Sequence, residues 1–206
     1  MNIFPDLKGK RWVHIDLNAE SLKTSLDLSN SEICKRWIDE IHKKKGVEHS
    51  YGGFLEDRSN LWKDHYNKEI NAFVHLGVDF SVPARTKVAL VRRARVESIL
   101  IDKDQHGGWG GMIVWKLLDE DYYLSYGHLK HEIKLKVGDI KEAGEIFAEV
   151  GESDENGGWW PHLHLQLMDQ GFIDAFGGDW GEIDGYLSKG SKLIKNVFNP
   201  MRLVEF

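Results

Sequence analysis

The chain has 206 residues, of which 41% are hydrophobic and 29% charged, with one cysteine and a formal net charge of −6. That length and composition fit one globular domain with an added segment and exclude a disordered chain, a collagen or a disulfide scaffold. No apolar run reaches the ~20 residues that span a bilayer, and the acidic balance argues against a nucleic-acid binder, which needs a basic face.

The first residues, Met1 to Lys8, lack the apolar core of a signal peptide. With the lone Cys34, this predicts a reducing, cytoplasmic setting. The alternative is export, either with a leader removed or by another route. Residues 1–50 read as an N-terminal extension that packs on the domain or walls its substrate. Arg11–Leu17 alternates weakly, as a strand does. A helix is expected over 31–45, opened by a capping box of Ser29 and Glu32. Its inner face would carry Ile33, Trp37 and Ile41, and Gly46 would close it. Lys43, Lys44 and Lys45 suit a helix C-terminus.

Residues 51–206 form the second unit. The turn Glu56-Asp57-Arg58 reads either as an exposed charged turn or as a substrate contact through Arg58, which can grip a carboxylate bidentately. After residue 70 short strands follow at close spacing: 72–80, 86–91, 96–101, 112–117, 122–126, 146–150 and 163–167, punctuated by glycine pairs. So little helix between strands predicts a mainly β, α+β chain built on an antiparallel sheet. The stretch 171–190, rich in Gly, Asp and aromatics, reads as a long ordered loop. Its Phe172, Phe176, Asp179, Trp180 and Tyr186 would either wall a groove or cover a sheet edge.

Three histidine clusters carry the chemistry. They are His75-Leu76-Gly77-Val78-Asp79, Tyr126-Gly127-His128-Leu129 and Pro161-His162-Leu163-His164-Leu165. On a strand, His162 and His164 project from one face while Leu163 and Leu165 face the core. Two imidazoles side by side suit a metal, or one ligand and one acid–base group. Two histidines and a carboxylate, with no cysteine, match a catalytic rather than a structural zinc site. His14, His42, His49, His65, His106 and His131 have no such context and read as surface or structural.

The order His-x-x-x-Asp, Gly-His-Leu, His-x-His resembles the lysostaphin-type (LytM-like) zinc metallopeptidases. HLGVDFSVP (75–83), YLSYGHL (123–129), VGDIKEAGEIFAEVG (137–151) and PHLHLQL (161–167) carry the likeness, over about residues 70–168. The resemblance implies a small antiparallel domain with a groove and one Zn²⁺ per chain bound by His75, Asp79 and His164. It also implies His162 and His128 as catalytic histidines free of the metal. Zinc would activate water and polarise the scissile carbonyl. His162 is read as the general base and His128 as the group that orients water or the oxyanion, though the two roles can be exchanged at this level.

The expected activity is hydrolysis of peptide or amide bonds, with peptidoglycan-like peptides as the family's substrate. The alternatives are a cytoplasmic amidase on another small substrate, a catalytically silent binding module, or a subunit of a larger enzyme. Three features depart from the pattern: the missing leader, the bulky Trp159 and Trp160 before the last motif, and Leu165-Gln166 where an aromatic and a Glu are common. With Tyr51–Arg58, they resemble a divergent subgroup in which such domains are joined to kinase-like and aminotransferase-like modules. Trp159 and Trp160 would either line the groove or pack at the sheet edge. The Val137–Val150 segment reads as β scaffolding. Neither membrane insertion nor nucleic-acid binding is expected.

Overall fold

The computed structural model describes residues 2–62, 71–104 and 108–205. His65 and His106 lie outside them. The strands are β1 (Val13–His14), β2 (Ser50–Gly52), β3 (Ala72–His75), β4 (Val78–Ser81), β5 (Lys87–Ala89), β6 (Ala94–Asp102) and β7 (Gly110–Leu117). They continue with β8 (Tyr122–Leu129), β9 (Ile140–Lys141), β10 (Ile146–Glu149), β11 (His162–Asp169), β12 (Tyr186–Ser188) and β13 (Val197–Phe198). The helices are α1 (Ser31–Lys45), α2 (Ser59–Trp62) and α3 (Gln170–Ala175). The chain is mainly β.

One large sheet runs β1-β2-β4-β11-β8-β7-β6-β9, with β13 also on β11. All its pairings are antiparallel except β1 with β2. Two small ribbons, β5–β10 and β3–β12, stand apart from it. β11 is central, and its alternation decides the layers. Leu163, Leu165 and Leu167 enter the principal core with Val78, Phe80, Leu124, Tyr126 and Trp115. His162, His164 and Gln166 face the other way, as a period of two requires. Met168 continues that second face into another cluster with Leu76, Met112, Phe172 and Ile173.

The N-terminal segment is tied to the same body. Ile3 and Phe4 are buried in the principal core, and Ile15, Leu28, Cys34 and Ile38 form a third cluster. Helix α1 has the expected bounds, but its cap is Asn30, not Ser29. Asn30 Oδ1 accepts from the amides of Glu32 and Ile33 at 3.0 and 3.2 Å, while Ser29 bonds Asp27. The innermost stripe is Cys34, Ile38 and His42, one residue on from the expected face, and Ile33, Trp37 and Ile41 flank it. Gly46 ends the helix in the left-handed conformation at φ 65°.

Three further expectations are corrected. The run 72–80 is two strands, because the chain leaves the ribbon partner β12 at Leu76–Gly77 and enters the large sheet. Leu76 N–H donates to Gly185 O at 2.8 Å in the gap. The stretch 171–190 is not a loop throughout: it holds α3, a short 3₁₀ turn at Trp180–Glu182 and β12. Asp169 caps α3 by accepting from Phe172 N–H at 3.1 Å, and this turns the chain back under the sheet. Glu56 and Arg58 do not form an exposed turn, since both are buried.

Candidate metal centre and groove

Sheet register assembles the centre. Asp79 on β4 lies directly opposite His164 on β11, and Ser81 lies opposite His162. Directly opposed residues share a face, so the four side chains stand side by side. His75 arrives from the end of β3, where it pairs with Tyr186 of β12. The approach is close enough to demand glycines. A Cβ on Gly77 would lie 2.5 Å from the His164 ring, and one on Gly53 would lie 2.6 Å from His75 Nδ1.

Three acceptor atoms meet here. His75 Nε2 and His164 Nδ1 are 2.9 Å apart, and Asp79 Oδ1 lies 3.1 Å from His164 Nδ1 and 3.4 Å from His75 Nε2. Their protonation follows from the outer partners. His75 Nδ1 faces Gly53 O at 2.8 Å, and a carbonyl only accepts, so the proton sits on Nδ1. His164 Nε2 donates to Gln166 Oε1 at 3.2 Å, and the Gln166 amide group donates to Met168 Sδ at 3.8 Å. The two nitrogens that face each other therefore both carry lone pairs, with a carboxylate oxygen beside them.

Such a cluster is satisfied by a cation. Metal–ligand bonds of ~2.0–2.1 Å in a tetrahedral set place neighbouring donors about 3.3 Å apart, close to the spacings present. His75, Asp79 and His164 thus fit a divalent metal.

Electrostatics agree with that ligand form. Burial, reinforced by the Arg58 charge, pushes the His75 pKa down to about 4. Although burial opposes it, Asp79 is held well below the usual carboxylate range by His75, Arg58 and its hydrogen bonds. Arg58 Nη1 donates to Asp79 Oδ2 at 2.5 Å and Arg58 Nε to Glu56 Oε2 at 3.2 Å. Arg58 is only 4% exposed, with its guanidinium turned on these two carboxylates. Asp79 therefore presents Oδ1, not Oδ2, to the histidines.

Two more histidines stand beside the three acceptors. His162 donates Nδ1–H to Trp160 O at 2.7 Å, which leaves Nε2 as an acceptor. Its ring centroid is 4.2 Å from that of His128. His128 is a non-glycine residue at φ 61°, in the left-handed region, a conformation that costs of order 1–3 kcal/mol. Its ring stacks on Trp109 at 5.9 Å. Burial lowers the pKa of both, and each is further depressed by neighbouring histidines.

A cavity of about 280 Å³ lies over these groups. All eight residues singled out from the sequence line it: His75, Asp79, His128, His162, His164, Arg58, Trp159 and Trp160. Tyr186 joins them, and burial pushes its hydroxyl pKa up to about 12. Phe172 instead is buried in the second core, where Phe176 and Trp180 pack against it, and Asp179 caps the 3₁₀ turn.

Sequence reasoning missed Ser81, Trp62, Trp109, Asp102 and Asp184, which also line the cavity. It noted Gln166 only as a departure, although the same period of two that paired His162 with His164 puts Gln166 on their face. For Trp109, carried on a glycine-rich loop, no sequence signal existed. His42 and His49 are buried away from the cavity, with His42 Nε2 against Ser50 Oγ at 2.9 Å.

Fold and site together define a β-sheet protein with a metal-ligand triad and two accompanying histidines in a groove. Residues 73–174 match the model of Peptidase family M23. No curated protein is significantly similar to the chain. Among solved structures, a mutant catalytic domain of the prophage-encoded M23 protein EnpA from Enterococcus faecalis is 26% identical. That likeness covers 47% of this chain and 69% of that one, with a TM-score of 0.41. The catalytic domain of the antimicrobial peptidase lysostaphin from Staphylococcus simulans is 23% identical over 63% of this chain and 78% of that one, with a TM-score of 0.41. A zinc-containing peptidase from Vibrio cholerae is 24% identical over 48% of this chain and 28% of that one, with a TM-score of 0.40.

Proposed function

We propose that the chain is a zinc-dependent hydrolase of peptide or amide bonds, acting on peptides of the peptidoglycan type. The observation that carries this reading is the convergence of three unprotonated acceptors, His75 Nε2, Asp79 Oδ1 and His164 Nδ1, beside two neutral histidines. The match of residues 73–174 to a zinc-dependent peptidase family supports the metal and the reaction class. Zinc held by these three residues would supply a water of lowered pKa and a Lewis-acidic centre at the groove floor.

The chain's own groups do the rest. His162 is the proton acceptor. Its Nδ1–H is committed to Trp160 O, so Nε2 is the atom that takes a proton and passes it to the leaving amine. Burial keeps the ring neutral near pH 7, the form a base requires. His128, braced by Trp109, steadies the charge that develops on the carbonyl oxygen. Arg58 acts through Asp79. By occupying Oδ2 it limits the carboxylate to one ligating oxygen, so it is a positioning residue. Gly53 O and Gln166 Oε1 fix the ligand tautomers, as outer partners of metal histidines do.

The test measures zinc in the full chain and hydrolysis of a panel of peptides and muropeptides. Near one equivalent of zinc is expected, lost in both His75→Ala and His164→Ala. His162→Gln is expected to keep the metal while the rate falls about 10²–10⁴-fold. A parent protein that takes up no zinc at neutral pH would end this reading.

A further inference from the structure

The cavity lining is of two kinds. One is the histidine cluster. The other is an apolar wall from the N-terminal segment: Ile15 and Leu17 after β1, and Cys34 and Ile38 from α1, which cluster together. Trp159 and Trp160, on the turn before β11, complete it. Ile15, Cys34 and Ile38 are at most 7% exposed, so this wall is recessed.

The wall is also braced. The Trp160 indole donates to Asp39 Oδ1 of α1 at 2.8 Å, and its ring stands edge-on to His42 at 5.2 Å. Trp159 stands edge-on to Trp62 at 5.4 Å, and Trp62 to Tyr186 at 5.4 Å, which links the apolar wall to the ring beside His75. The polar atoms of these side chains are already spent or neutral. The Trp160 N–H is bonded to α1, and burial pushes the Cys34 thiol up to about 11, so it meets the cavity uncharged.

An apolar, preformed recess next to an acid–base cluster stabilises an apolar group and gives nothing to a hydrogen atom in its place. We infer that this wall forms a selectivity pocket for a bulky apolar side chain or acyl group flanking the scissile amide, so that glycine–glycine bonds are poor substrates. The inference rests on the hydrolase reading above and adds the substrate class. The N-terminal segment is then part of the substrate site and not only a support.

The experiment has two readouts on the full chain. The first is binding to the metal-free protein, followed by NMR of the tryptophan indole N–H signals. N-acetylphenylalaninamide is expected to shift the Trp159 and Trp160 signals, and N-acetylglycinamide to leave them in place. The second is kcat/KM of the zinc-loaded chain on matched blocked dipeptides, Gly-Gly against the same peptide with Phe or Leu on either side of the bond. A preference of about 10–200-fold for the apolar residue is expected. Leu17→Trp, which fills the pocket from a partly exposed position, should reduce it to under threefold, and Trp159→Ala should weaken it too. Each variant is first checked for native circular dichroism and zinc content.

Equal or preferred turnover of Gly-Gly by the parent would overturn the pocket while leaving the hydrolase. Indole shifts by the phenylalanine probe without hydrolysis of any peptide would leave the pocket and overturn the hydrolase. Identical responses to both probes would overturn the pocket.

Discussion

Gln166 shows how a single residue sets the chemistry of its neighbour. It is fully buried, and its Oε1 accepts the His164 Nε2–H, which turns the Nδ1 lone pair toward His75 and Asp79. A carboxylate at this position would make the imidazole more basic, whereas an amide only orients it. We expect Gln166→Leu to weaken zinc affinity about 10–100-fold, the usual cost of losing an outer partner. Gln166→Glu is expected to keep or raise the affinity. Competition with a chelator of known affinity measures both, and an unchanged affinity in the leucine variant would remove Gln166 from the site. At this scale most of the centre was legible, because strand periodicity fixes which residues share a face. Arg58 was legible as a charge but not in its bonding, since the Asp79 that holds it is 21 residues away in sequence.

Helix α1 is the element that carries the apolar wall, so its stability matters to the groove. Its first turn is closed by Asn30, whose side chain satisfies two of the four amides that a helix start leaves free. Asn30→Ala is expected to cost about 1 kcal/mol, lowering Tm by roughly 2–4 °C. Ser29→Ala should change Tm by less than a third of that. Thermal unfolding followed by circular dichroism decides between them, and a larger effect at Ser29 would contradict the observed cap. Sequence placed the helix bounds well but not its rotation. Ile33, Trp37 and Ile41 form a plausible apolar stripe, yet the β-sheet side draws in Cys34, Ile38 and the polar His42, which finds Ser50. Propensity and period cannot see which stripe meets a partner.

Across the whole molecule, several histidines are buried neutral. Burial lowers the pKa of His42, His49, His75, His128 and His162 below the ordinary ~6.5. The sign follows from proton counting. Below pH ~6.5 the unfolded chain binds protons at these positions while the folded chain resists them, so stability falls as pH falls. The loss runs from about pH 6.5 down to about pH 4, where His75 titrates in the folded protein. Each histidine contributes up to about 1.4 kcal/mol per pH unit within its own window. Asp79, whose pKa is also depressed, acts in the same sense but only below the ordinary carboxylate range, outside this window. For the metal-free protein in EDTA, Tm is expected to drop steadily from pH 7 to pH 5. A flat Tm over that range would show that the histidines are not buried neutral.

Sequence alone determined the class of sheet and the position of α1, because these depend on local period, and its residue types singled out the three histidine clusters. The alternation in 161–167 put two imidazoles on one face whatever the rest of the chain did. Tertiary structure decided what those residues touch. It buried Arg58 against Asp79, turned Gln166 onto His164 and brought Ile15, Leu17, Cys34 and Ile38 to the wall of a groove built by strands that follow them. Contacts of that kind join segments dozens of residues apart, and only the packing of buried charge and apolar area selects among the many such pairings a sequence permits.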